Sequence, residues 1–264
     1  FNDVIGPVMR GPSSSHCAAA LRIGRLARDL MDGDISEVLV EFDRAGSLPT
    51  THESQGSDMG LFGGLLGWDA DDERLPNSAQ ALADAGIKLR IETVDVGDPH
   101  PNTYRLTLKN TRETHTLIAI STGGGMIEVV EIDGVPLRMD GGYHETLIWK
   151  SGCDFSRIQN DSAKAETTFS EDEVILHDLS DKQLIQVKAA TFVPSVLLDP
   201  LGPLSVKKLS PVLPVTSRKD LCVPFTSCAV MLAHDGAQTR LFGNSPSSMS
   251  ALAATSPSVK SSTR

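Results

Sequence analysis

The sequence predicts an α+β fold, in which a mostly antiparallel sheet carries helices packed on one side and a smaller α/β unit follows. Two observations support this prediction. Three segments before residue 87 have features of helices. Residues 87–130 then contain four short runs of strand character. Early helices followed by several consecutive strands are typical of the α+β class.

The first helix is predicted from Cys17 to Leu30. Its apolar residues recur at i, i+3, i+4 and i+7, which places them on one face of a helix. These residues are Ile23, Leu26, Ala27 and Leu30, and the other faces take Arg22, Arg25, Arg28 and Asp29.

The next segments continue the pattern as far as residue 86. Val38, Val40 and Phe42 alternate with polar residues, as in a half-buried strand. A polar loop is expected over 44–54. A glycine-containing helix is then predicted over 58–66, and another helix from Pro76 to about residue 86.

Four strands are predicted from residue 87 onwards, with a hairpin connection at residues 110–112. They include residues 89–91, 104–108, 117–120 and 127–130. The expected domain limits are 1–149 for the α+β domain, 150–215 for the small α/β unit, 216–242 for a linker and 243–264 for a disordered tail. In the small unit, a hairpin is predicted around residues 180–181 and a helix over 194–198.

Composition excludes several classes of partner. The chain has 264 residues and a formal net charge of −10, which argues against binding nucleic acid or an anionic membrane. No apolar run reaches the roughly 18 residues of a membrane span. The four cysteines, Cys17, Cys153, Cys222 and Cys228, are scattered and predict reduced thiols without a local metal site. We therefore expect a cytoplasmic protein.

The most informative motif is the run from Gly11 to His16, which contains Ser13, Ser14 and Ser15 directly before the first predicted helix. Hydroxyls and backbone N–H groups at the positive end of a helix favour a carboxylate or phosphate. His16 adds a group that titrates near neutral pH. The alternative is a polar N-cap with a surface histidine.

Three further polar clusters are candidates for a site, and each has a structural alternative. Residues 52–58 precede a helix, with Ser57 as a candidate N-cap, and they are also consistent with a solvated loop. Residues 100–103 resemble an ordinary turn. Residues 121–125 contain three consecutive glycines, which suit an anion-binding concavity or a β-bulge.

Together, these motifs resemble the beta chain, or beta domain, of iron–sulfur-dependent L-serine dehydratase. The resemblance rests on Ile5–Met9 leading into Gly11–His16, then Gly56-Ser57-Asp58, His100–Thr103 and Ser121–Gly125. It covers residues 1–149 most strongly. It implies a fold similar to the allosteric substrate-binding domain of some phosphoglycerate dehydrogenases.

The same resemblance implies a lyase of amino-acid catabolism and gluconeogenesis that converts L-serine to pyruvate and ammonia. A four-iron four-sulfur cluster is expected in a separate alpha chain or alpha domain, and no metal site is expected in this chain, which alone should be incomplete. His16 would be catalytic, as the base or as the group that orients it. The substrate-binding residues would be Ser13, Ser14, Ser15, Gln55, Gly56, Ser57, Asp58, Asn102, Thr103, Gly123, Gly124 and Gly125.

Two departures from the family pattern affect the candidate site. Many relatives have a histidine where this chain has Gln55, which cannot act as a base, and His52 is a candidate to compensate. Relatives usually have threonine where this chain has Cys17. Residues 211–228 resemble a linker into an alpha domain, but a serine-rich tail follows, so we expect a truncated or frameshifted form of a fused enzyme.

Two other functions stay open at this point. The same serines and the turn at 123–125 suit a non-catalytic regulatory module that binds L-serine or another small carboxylate. The glycine-containing helix, with Gly60, Gly63 and Gly64, also suits a structural chain that forms a homodimer.

Overall fold

A mixed six-stranded sheet forms the base of the fold. The computed structural model describes residues 10–151, 173–179 and 182–213. The strands of this sheet are β1 (Glu37–Asp43), β2 (Lys88–Val94), β3 (Thr103–Lys109), β4 (Thr114–Gly123), β5 (Met126–Ile132) and β6 (Val135–Met139). Their order is β2-β1-β3-β4-β5-β6. Only β1 and β2 are parallel, and every other neighbouring pair is antiparallel. The predicted α+β class is confirmed.

Two helices cover the apolar face of the sheet. They are α1 (Ser14–Leu30) and α3 (Ser57–Leu65), while the shorter segments are α2 (Leu48–Thr51), a 3₁₀ turn (Leu75–Asn77) and α4 (Ser78–Asp84). Alternate residues of β1, Val38, Val40 and Phe42, are buried beneath the helices, as the strand pattern predicts. Helices and sheet therefore share one hydrophobic core.

Glycines bring α1 and α3 into close contact. A Cβ atom at Gly60 would lie 2.1 Å from the Cys17 carbonyl oxygen, and one at Gly64 would lie 2.1 Å from the Leu21 carbonyl oxygen. On the opposite helix, a Cβ atom at Gly24 would lie 2.5 Å from the carbonyl oxygen of Leu61. These glycines therefore serve the packing of one helix against the other within the chain.

Several local expectations are wrong. The first helix begins at Ser14 rather than Cys17, so His16 lies inside its first turn. The expected loop over 44–54 contains α2. Ser57 is the first residue of α3 and not its N-cap, because the left-handed conformation that precedes the helix is taken by Gly56. Arg22 is 3% exposed instead of facing solvent, because α1 is packed on several sides.

A second, antiparallel sheet packs beside the first with the order β10-β7-β9-β8. Its strands are β7 (His144–Ser151), β8 (Glu173–Asp178), β9 (Lys182–Ala189) and β10 (Ser205–Leu209), with the short helix α5 (Ser195–Leu198) and a 3₁₀ turn (Asp199–Leu201) before β10. The hairpin and the helix predicted here are both present. Strand β7 extends across residue 149, where the sequence places a domain limit, and pairs with β9 and β10. The domain limits themselves stay predictions.

A buried lysine, Lys207, joins the end of α1 to both sheets. The Lys207 ammonium on β10 lies 2.7 Å from an Asp32 carboxylate oxygen and 2.7 Å from a Glu113 carboxylate oxygen. Glu113 also contacts His115, whose other ring nitrogen lies 2.7 Å from Asp133. Opposite charges compensate one another across this contact, as burial requires.

Some expectations fall outside the described residues. Cys153, Cys222, Cys228, the tail over 243–264 and most of the linker-like segment cannot be compared with the structure. Cys17 is buried, and burial raises the pKa of its thiol to about 11, in keeping with an inert, protonated cysteine. Within the described ranges, no helix is long and apolar enough to cross a membrane.

Candidate active site

The first two sequence motifs meet at the N-terminus of α1. Ser13 donates its backbone N–H to the carbonyl of Gln55 at 3.2 Å. Gly56 lies against Pro12, since a Cβ atom at Gly56 would approach the proline ring to 2.9 Å. The serine motif and the loop before α3, which are about forty residues apart in the chain, therefore form one surface.

The side chain of Ser13 does not cap α1. Its backbone is extended at the N-cap position, but its hydroxyl lies 2.7 Å from Nδ1 of His16 instead of bonding to a backbone N–H of the helix. Ser14 and Ser15 follow in the first turn, and both are half-buried. The hydroxyl–imidazole pair thus holds His16 at the positive end of the helix dipole.

A second histidine lies in the same region with a different partner. Nδ1 of His52 is 2.8 Å from both carboxylate oxygens of Asp58. Asp58 occupies the first turn of α3, where the helix N-terminus favours a negative charge. Burial raises the pKa of Asp58, while its hydrogen bond to His52 acts in the opposite direction.

Two buried hydroxyls lie behind Asp58. Ser57 and Tyr104 are each 1% exposed, and neither hydroxyl makes a hydrogen bond of normal geometry, although they lie close to one another. Burial raises the pKa of Tyr104, and the Asp58 charge adds to the effect. Tyr104 therefore stays neutral beneath the loop that carries Asp58.

The third and fourth motifs also lie side by side. Ser121 donates its backbone N–H to the carbonyl of Asn102 at 3.1 Å. The amide oxygen of Asn102 accepts a hydrogen bond from the hydroxyl of Ser47, and the hydroxyl of the buried Thr103 donates to the carbonyl of His100 at 2.7 Å. The turn expected at residues 100–103 is present, and it is tied to α2 and to the end of β4.

The glycine run forms the turn between β4 and β5. Gly123, Gly124 and Gly125 all have positive φ angles, of 99°, 60° and 81°, which explains why the turn uses glycines. The β4–β5 register shifts at this turn, as the β-bulge alternative predicts. No atom lies within 4 Å of a Cβ position at Gly123 or Gly124, so this part of the turn is open.

Arg22 links the glycine turn to α1. Its guanidinium donates to the carbonyl oxygen of Gly125. Burial lowers the pKa of Arg22, and no carboxylate of the described residues forms an ion pair with it. The sequence placed Arg22 among the outward-facing residues. The preceding run of buried small residues, Cys17, Ala18, Ala19 and Ala20, is the signal that α1 is enclosed on more than one face.

The four motifs thus form two adjoining groups. Residues 13–16 with 55–58 make one group, and residues 102–103 with 121–125 make the other. No hydrogen bond between described residues joins the two groups directly. Two residues connect the groups indirectly. Tyr104 follows Thr103 and lies close to Ser57, and Arg22 of α1 donates to the carbonyl of Gly125.

The described residues do not offer the ligands of an iron–sulfur cluster. Such a cluster requires several converging thiolates, and Cys17 is the one cysteine in the described ranges. The same ranges contain no group of three or more histidine, cysteine or acidic side chains arranged to hold a metal ion. The site is therefore built from hydroxyl, imidazole, carboxylate and backbone groups.

Comparison with known proteins gives two matches to beta chains of one enzyme. The chain is 34% identical over 221 residues to the "Probable L-serine dehydratase, beta chain" of Bacillus subtilis (strain 168), which covers 83% of this chain and 97% of the relative. It is 34% identical over 148 residues to the L-serine dehydratase beta chain of Peptoniphilus asaccharolyticus, covering 55% of this chain and 66% of the relative. No family model matches the sequence.

Proposed function

Because the chain belongs to the family of L-serine dehydratase beta chains, we propose that it is the beta part of an L-serine ammonia-lyase. In this proposal it works with an alpha chain or alpha domain to convert L-serine to pyruvate and ammonia. The match over nearly the whole length of the Bacillus subtilis relative carries the proposal. The beta-chain descriptions do not favour a regulatory module or a purely structural dimer.

The substrate carboxylate is proposed to bind at the N-terminus of α1. Ser13, Ser14 and Ser15 offer hydroxyls and backbone N–H groups there, and the helix dipole favours an anion. The adjoining loop would complete this part of the site through Gln55, Gly56, Ser57 and Asp58. The second group, Asn102, Thr103, Gly123, Gly124 and Gly125, would form the opposite side.

His16 is proposed to take part in proton transfer. The Ser13 hydroxyl at Nδ1 fixes the ring, which leaves Nε2 to contact a bound amino acid. A ring held in this way can take the Cα proton or orient the group that does. Its place in the first turn of α1 puts it beside the proposed carboxylate site.

The partner is proposed to supply the four-iron four-sulfur cluster, whose chemistry is Lewis-acid assistance to loss of the substrate hydroxyl. We place the assembled enzyme in the cytoplasm and in amino-acid catabolism that feeds gluconeogenesis. Sedimentation of the isolated chain would measure whether it also forms the expected homodimer.

Reconstitution tests the function. The purified chain is mixed with an alpha chain of the family under anaerobic conditions, and pyruvate formation from L-serine is followed. We expect pyruvate only when both chains are present. A complex that forms but releases no pyruvate from L-serine would reject the proposed function.

Replacing His16 by alanine should lower kcat of the reconstituted enzyme by about 100-fold or more, as is typical when a proton-transfer group is lost. The matched control is His144→Ala, which removes a half-buried imidazole from β7 in the second sheet. We expect the control to retain activity. Full activity of His16→Ala would contradict the role given to His16.

A further inference from the structure

His52 is the most firmly held imidazole of the candidate site. Its carbonyl oxygen accepts hydrogen bonds from the backbone N–H groups of Ser57, at 2.9 Å, and Asp58, at 3.3 Å. Its Nδ1 contacts the carboxylate of Asp58, and its ring packs on Phe42 with 5.2 Å between centroids. Backbone, ring edge and ring face are therefore each fixed by a different contact.

Asp58 is itself held in place. It is the second residue of α3, and its side chain is 19% exposed. The buried hydroxyls of Ser57 and Tyr104 lie nearby, and Tyr104 packs edge-on against Phe42 with 5.4 Å between centroids. Phe42 therefore packs against both His52 and Tyr104, the residue that lies behind Asp58.

This arrangement defines the state of the ring. An ionised Asp58 can only accept hydrogen bonds, so a neutral His52 must carry its proton on Nδ1. Nε2 is then left with a lone pair, and the carboxylate stabilises the imidazolium that forms when Nε2 accepts a proton. A carboxylate that fixes the tautomer of an imidazole in this way is a recurrent feature of general bases.

We propose that His52, oriented by Asp58, is a proton-transfer residue of this enzyme. The inference rests on the proposed function. His52 lies three residues before Gln55, whose carbonyl accepts the N–H of Ser13, so the dyad adjoins the proposed carboxylate site. Asp58 is a positioning residue in this scheme.

The step is a β-elimination. Nε2 of His52 takes the proton from Cα of L-serine, so His16 has the orienting role in this scheme. The Cα–H electron pair becomes the Cα–Cβ double bond as the Cβ–O bond breaks and hydroxide leaves. The product is 2-aminoacrylate, which gains at Cβ the proton held by His52 and gives one from nitrogen to the departing hydroxide, forming water. Water then hydrolyses the resulting imine to pyruvate and ammonia. Atoms and charge balance without an oxidant or a reductant.

The isolated chain gives the first test. Nitrogen-15 NMR of its histidine rings reports which nitrogen carries the proton in the neutral form, and His52→Gln identifies the signal. We expect neutral His52 to be protonated on Nδ1 and Asp58→Asn to reduce that tautomer. A wild-type ring that is protonated on Nε2 when neutral would overturn the proposal, whatever the activity.

The reconstituted enzyme gives the second test. We expect His52→Gln to lower kcat by about 100-fold or more with KM nearly unchanged, and Asp58→Asn to lower kcat by at least about tenfold. The control His144→Gln makes the same chemical change in the second sheet and should keep wild-type kcat.

A rise in KM alone for His52→Gln would show a binding role and overturn the inference. Full activity of that variant would also overturn it while leaving the proposed function in place. An inactive wild-type complex would reject both.

Discussion

Replacing Gly60 by alanine is expected to destabilise the chain by about 3 kcal/mol or to prevent folding. The added methyl group would lie 2.1 Å from the Cys17 carbonyl oxygen and 2.9 Å from the carbonyl carbon. Both atoms belong to the backbone of α1 and cannot rotate away. The two helices must therefore separate, and the apolar contacts between them are lost.

The Gly60 substitution should also disturb the candidate site, because the N-terminal ends of α1 and α3 carry the site residues. Gly60 lies two residues after Asp58, and its contact is one residue after His16. A displacement of α3 from α1 would therefore also separate the serine motif from the loop that carries His52. Gly64→Ala, with its methyl group 2.1 Å from the carbonyl oxygen of Leu21, should behave in the same way.

Gly63→Ala is the matched control on the same helix. The methyl group there would meet the end of the Leu75 side chain, which can move, rather than backbone. Alanine also favours a helix over glycine by about 1 kcal/mol, which offsets part of the cost. Urea unfolding of the three variants measures the difference. Equal stability of Gly60→Ala and Gly63→Ala would show that the helix crossing does not depend on backbone contact.

Much of the fold follows from spacing in the sequence. The alternation in β1 places the same residues in the core that the structure buries, because a strand with one buried face must alternate. In the strands from residue 87, Leu106, Leu117 and Val129 are buried as expected, whereas Leu89, Ile91 and Ile118 are only half-buried. Strand β6 escaped prediction because Pro136 and Arg138 interrupt a five-residue segment. Strand β10 is equally short and includes Lys207, whose burial depends on acidic residues far away in the sequence.

The sequence predicts which residues form the candidate site better than it predicts their contacts. The serine motif and residues 55–58 are recognisable as polar clusters beside helices, and they do meet. The partnership of His52 with Asp58 was not predicted, since their six-residue separation becomes a contact only because the chain turns between α2 and α3. Tyr104 and Arg22 were not candidates for the site, because their polar contacts come from other elements of the fold.

Glu145→Gln is expected to stabilise the chain at pH 8 by about 3 kcal/mol and to have little effect near pH 4.5. Glu145 lies on β7 and is 2% exposed. Gln186 donates to one of its carboxylate oxygens at 3.0 Å, but the other oxygen is buried without a partner. Burial raises the pKa of Glu145 to about 7, against the smaller opposing effects of Gln186 and Lys188.

The sign of the effect follows from proton binding. In the unfolded chain Glu145 loses its proton near its ordinary pKa of 4.5, whereas in the folded chain it keeps the proton to about pH 7. Between these values the folded state binds more protons, so stability falls as the pH rises and stays lower above pH 7. Glutamine is neutral at every pH, so the variant does not lose stability in this way as the pH rises.

Urea unfolding of the wild type and Glu145→Gln at pH 5, 6, 7 and 8 measures the prediction. The two stability curves should diverge between pH 5 and 7 and then run nearly parallel. Glu92→Gln, on the exposed strand β2, is the control and should parallel the wild type. Parallel curves for Glu145→Gln as well would mean that the carboxylate is ionised in the folded protein without penalty. Since the buried oxygen has no partner among the described residues, such a result would require a cation or water at that position.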